Sequence, residues 1–139
     1  MASGPYFLNL EKCLNNYYEA GTWYAMLLTG YTEDRDTHDF MNDIDSTQIA
    51  NGNGYTTGGL AVSTPTVVFT GATNLFTVTF AQAVWSTATI SATHCVWYKE
   101  LGANTVDEPG YVNDFGGTVT STNADFTVPA SNFTLNFPD

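Results

Sequence analysis

Apolar side chains at Phe7, Leu10, Leu14, Tyr17 and Tyr18 recur at intervals of three and four, the period that lays one stripe along an α-helix. Pro5 suits the start of such a helix, and Gly21 sits where a left-handed cap would end it. Past Gly21 the period changes. Residues 22–31, TWYAMLLTGY, form an aromatic and apolar run too short for a core helix between its flanking glycines, and read as a buried strand. Residues 33–45 are polar and acidic with few apolar interruptions, and read as a long solvated loop. Beyond them alternation takes over. Leu75, Thr77 and Thr79 alternate with Phe76, Val78 and Phe80; Cys95, Trp97 and Lys99 with His94, Val96 and Tyr98; Asn132, Thr134 and Asn136 with Phe133, Leu135 and Phe137. Further strands are expected at 60–63, 67–70, 83–92, 110–115 and 125–128. Turn signals separate them at 51–54, 58–59, Gly71, Asn74, 109–110 and 116–117.

Short strands at this spacing predict an all-β fold, an antiparallel β-sandwich or barrel-like domain with a short N-terminal helix. No repeat or linker divides the chain. We read one domain over residues 1–139, with an N-terminal arm and helix at 1–20 and the β-sandwich at 22–139.

Composition supports a packed core, because 43% of the residues are hydrophobic and 14% aromatic. Charge narrows the function. Three basic residues against fourteen acidic ones give a net charge of −11, although only 12% of the chain is charged. Phosphate backbones and anionic lipid surfaces would repel such a chain, so neither nucleic acid nor membrane is expected as a partner. The longest strongly apolar run, 23–28, is far short of a membrane span, and the first ten residues do not read as a secretory leader. Cys13 and Cys95 match no short metal-ligand spacing; two reduced, buried thiols are expected, a disulfide between them being the alternative.

Candidate chemistry is sparse. Asp34, Asp36, Asp39, Asp43 and Asp45 could offer oxygens to Ca²⁺, but a helical calcium loop would need a Gly and a terminal Glu that this stretch does not place. A solvated or partner-facing acidic loop is the expectation. His94 and Cys95 are neighbours on a strand and so point to opposite faces, which rules them out as a nucleophile and its base. His38 has no obvious partner. Asp107, Glu108 and Asp114 read as surface acids at strand ends, although paired carboxylates could in principle cleave a glycoside. The glycines of 51–59 lack a following helix or lysine, so a hairpin-like turn is expected there and not a phosphate loop. For each aromatic residue core packing is the first expectation, with a surplus left for an interaction patch. Neither a catalytic residue, a metal nor a cofactor is expected, and we read the chain as a binding or structural protein.

Residues 43–63, DIDSTQIANGNGYTTGGLAVS, resemble a motif of small virion proteins of tailed bacteriophages, in which an acidic residue precedes an Ile-Ala, Asn/Gly-rich, Gly-Tyr-Thr-x-Gly-Gly segment. The surroundings are similar too: a helix, then AMLLTGY, then AVWSTATISATHCVWYKE and a C-terminal FTVPASNFTLNF. The resemblance implies a head decoration, or cement, protein made in the host cytoplasm and seated on the outer capsid surface of the virion. Its implied partners are the major capsid protein and neighbouring copies of itself, as a dimer or trimer. Met1, Pro5, Tyr6, Tyr17 and Tyr18, with Asp34, Asp36 and Asp39 of the acidic segment, are the expected contact residues. The alternative is a tail- or fibre-associated module that grips a host-surface glycan through Trp or Tyr.

Overall fold

The helical stripe and the alternating segments fold as their periods predict. A computed structural model, which describes residues 6–137, places helix α1 at Phe7–Tyr18. The strands that follow are β1 (Thr22–Leu28), β2 (Leu60–Val62), β3 (Thr66–Thr70), β4 (Leu75–Phe80), β5 (Ala83–Ala88), β6 (Ser91–Glu100), β7 (Glu108–Thr120), β8 (Ala124–Val128) and β9 (Ser131–Asn136). All pairings are antiparallel, in sheets ordered β2-β1-β6-β7, β3-β4-β9 and β5-β8. Gly21 has the expected left-handed φ of +81° just past the helix.

The four-stranded sheet and the β3-β4-β9 sheet face each other across the main core. Trp23, Ala25 and Leu27 of β1 and Cys95 and Trp97 of β6 meet Val67, Phe76, Val78 and Phe80 from the opposite layer. Phe76 and Phe80 are fully buried, each stabilising the fold by about 1.5–3 kcal/mol through removal of apolar surface from water. The indole N–H of Trp97 is satisfied within this core, donating to the Ala81 carbonyl at 2.9 Å. The β5-β8 pair extends the core with Trp85 and Phe126, whose rings meet edge to face. Helix α1 closes the β3 side. Its Phe7 ring lies 5.1 Å from Phe69, and Glu19 accepts the Val67 amide at 2.8 Å, capping the β3 edge.

The main departures from expectation are local. The segment read as one strand over 83–92 breaks after Ala88, where Thr87 takes φ +51° and the register shifts. The expected turns at 109–110 and 116–117 lie inside β7, which runs on to Thr120; Gly110 passes too close to the Trp23 ring, 2.7 Å from the place a Cβ would occupy, for a larger residue. Cys13 is exposed rather than buried, and both cysteines are free. Burial pushes the Cys95 thiol pKa well up, leaving it a small core residue.

Candidate functional site

The acidic segment is pinned to the protein rather than solvated along its length. Its two single-turn 3-10 helices, Met41–Asp43 and Asp45–Thr47, bring Met41 and Ile44 onto the outer face of the four-stranded sheet. There they join Met26, Leu28, Val96 and Tyr98 in a second, smaller core, with Tyr31 at its border. The Asp43 carboxylate accepts the Phe40 amide at 3.1 Å, which fixes the first turn. The loop after β6 holds the segment from the side. The Met41 amide donates to the Asp107 carbonyl and the Asn42 amide to the Asn104 carbonyl, each at 3.0 Å.

Asp107 is therefore not a surface acid. It is 4% exposed, and its carboxylate accepts the amides of Leu101 at 2.6 Å and Gly102 at 3.2 Å. Glu108 is likewise engaged, accepting the Tyr17 hydroxyl proton at 2.5 Å. Burial, with Glu108 as acceptor, pushes the Tyr17 pKa well up. Tyr17 and Tyr18, expected as contact residues, are half-buried and face inward: Tyr18 stacks on Trp23 and meets Phe80 and Phe133 edge to face. Tyr6 is the exposed aromatic of that group, at 84%. Met1 and Pro5 lie outside the described residues.

Between the acidic segment and β7 runs a groove of about 580 Å³. Ile44, Val96, Val112 and Pro109 contribute apolar surface, and Tyr111 and Phe133 an aromatic wall. Glu33, Asp34, Arg35 and His38 contribute the polar side. Glu33 and Arg35 form an ion pair. Asp34 accepts the amides of Asp36 at 3.1 Å and Thr37 at 3.3 Å, and hydrogen bonds from Thr37 and Asp36 hold its carboxyl below the usual range. His38, expected to stand alone, shares a 2.9 Å hydrogen bond between Nδ1 and the Tyr31 hydroxyl. Tyr31 in turn meets His94 edge to face, and His94 Nε2 lies 3.6 Å from Asp114. Of the predicted acidic contacts, Asp34 reaches the groove; Asp36 and Asp39 are exposed and do not line it. Among the described residues no group of three or more His, Cys, Asp or Glu side chains is gathered to hold a metal ion.

The segment at 43–63 has a structural job. Buried Tyr55 accepts the Leu27 amide at 3.2 Å and the Gln48 side-chain amide at 2.8 Å, tying the turn to β1. Gly59, at φ +90°, packs so closely on β1 that a Cβ would lie 2.1 Å from the Ala25 carbonyl oxygen. Only glycine fits there.

The opposite layer has a property that reading motif by motif overlooks. No Asp, Glu, Lys or Arg occurs between Asp45 and Lys99, or in residues 126–138. The β3-β4-β9 sheet thus carries no charge. The registers Thr66–Thr79–Asn132, Val68–Thr77–Thr134 and Thr70–Leu75–Asn136 set its outer face as rows of hydroxyl, amide and aliphatic groups, with Val68 57% exposed. A count of charges along the chain would have found it.

No family model matches this chain, and neither a curated protein nor a solved structure does.

Proposed function

We propose that this chain is a structural virion protein, a capsid decoration or cement module that bridges neighbouring major capsid subunits on the phage head. The observation that carries this reading is the segregation of charge between the outer faces of the sandwich. The face of the β3-β4-β9 sheet can meet a partner without stripping water from ions, which would cost several kcal/mol per ion. The acidic segment on the other layer keeps the exposed side soluble and averse to DNA. The motif at 43–63 supports the same reading from the sequence.

Size sets the mode of attachment. Three strands of about five residues cover roughly 14 by 17 Å. A partner seated there would bury on the order of 500 Å² in total, well below the about 1,200 Å² of a stable specific interface. One contact is therefore weak. Strength comes from bridging two or more subunits, with contacts between adjacent copies, multiplied over a lattice. The glycan-binding alternative loses its Trp platforms, because Trp23, Trp85 and Trp97 are all buried.

The test is to add the purified protein to bare phage shells and measure occupancy. Saturation in proportion to shell subunits is expected, weakly dependent on salt and lost on placing charge in the neutral face by Thr77→Arg with Thr134→Arg. Failure to saturate shells, or undiminished binding by that folded double variant, overturns the reading.

A further inference from the structure

The groove beside the acidic segment is a built site that shell docking does not use. At about 580 Å³ it falls within the roughly 300–1,000 Å³ of small-molecule sites, and it has their usual make-up of apolar floor and few convergent polar groups. Its polar side decides what can enter. A cation would face Arg35, and an anion would face Glu33 and Asp34. The Glu33–Arg35 pair brings an acceptor and a donor to one rim with their charges offset. His38 has Nδ1 engaged with Tyr31, which leaves Nε2 for a ligand. A hydroxyl-rich molecule both donates and accepts, and so uses every one of these groups. Beneath the rim, Pro109 and Val112 offer a surface for C–H groups, while Tyr111, stacked on Phe133 with an interplanar angle of 11°, supplies a flat wall. A pyranose ring has this combination: an apolar C–H face and an equatorial girdle of hydroxyls.

We propose that this groove binds a neutral saccharide of about disaccharide size, with the Glu33–Arg35 pair and His38 addressing its hydroxyls and Tyr111 its C–H face. The groove lies off the neutral face, so the protein can carry this site whether or not it decorates a shell.

Titration of the isotope-labelled full chain, followed by NMR, tests the proposal. The probes are neutral disaccharides ending in glucose, galactose or N-acetylglucosamine, a sialylated trisaccharide, and an alkylamine. At least one neutral disaccharide should produce saturable shifts centred on residues 33–38 and 110–112. Glu33→Gln combined with Arg35→Ala should weaken that binding tenfold or more at an unchanged Tm, because the Arg35 side chain is 80% exposed and supports no core. The proposal is overturned if no neutral sugar saturates, if the shifts lie elsewhere, or if the double variant binds equally well. A response to the amine or to the sialylated probe alone also overturns it, by assigning the groove to a charged ligand.

Discussion

The two layers of this sandwich present opposite outer surfaces. The four-stranded sheet is covered: Met41 and Ile44 sit on its outer face beneath the acidic segment. The β3-β4-β9 sheet is bare, and its outer face is Thr, Asn and Val without charge. The strands record this difference. β1 and residues 94–98 of β6 are buried at nearly every position because both of their faces are covered, whereas β4 alternates strictly. Strand pattern thus reports how many faces of a sheet are covered, as it does when parallel and antiparallel sheets are compared.

The largest effect expected from that contrast is alkaline unfolding. Burial raises the pKa values of Tyr17, Tyr18, Tyr31, Tyr55 and Tyr98 above the usual 10, and none of these residues lies on the bare face. A raised folded-state value means that the stabilisation is complete below pH ~10 and is lost as pH rises through the folded-state values. Circular dichroism, and the share of the tyrosinate absorbance that belongs to these five residues, should therefore change in one cooperative step above pH 10. Early, non-cooperative ionisation of these residues would show that the covering segment opens on its own.

Removal of the cover's anchor comes next. Met41→Ala should cost about 2–5 kcal/mol in denaturant unfolding, since Met41 is fully buried. Asp107→Ala should cost about 1–3 kcal/mol by leaving the Leu101 and Gly102 amides without their acceptor, and Asp107→Asn should recover part of it. On the bare face, Thr77→Ala should change stability by no more than about 0.5 kcal/mol. A cost there comparable to that of Met41→Ala would mean that the bare face is covered in solution. The smallest effect is acidic. The Asp34 carboxyl is held below its ordinary 3.8, so its contribution is present above that pH and fades as pH falls through the lower value. Comparing Asp34→Ala with the parent chain between neutral pH and pH ~3 should show a difference that shrinks toward acid.

The helix, the alternating strands and the sandwich were legible because their periods follow directly from the geometry of the elements. Tyr17 and Tyr18 belonged by spacing to the same stripe as Leu10 and Leu14, and that stripe packs inward. The cover over the four-stranded sheet was harder to see. Met41 and Ile44 are three apart, as on a helical turn, but they stand among acids that dominate the local composition. The groove was not legible at all. It forms when β1, β6 and β7 pair and carry residues 109–112 to the side of 31–38, and a separation of some seventy positions leaves no local trace.

The separation of charge also gives the outer faces of the two layers unlike electrostatic potentials. Near any like-charged body the molecule experiences a torque before it experiences a contact, and the torque turns the acidic face away. A chain of net charge −11 would then arrive at a negative surface with its β3-β4-β9 face leading, its orientation chosen at a distance set by the Debye length. Lowering the ionic strength would lengthen the range of that selection even as it strengthens the overall repulsion.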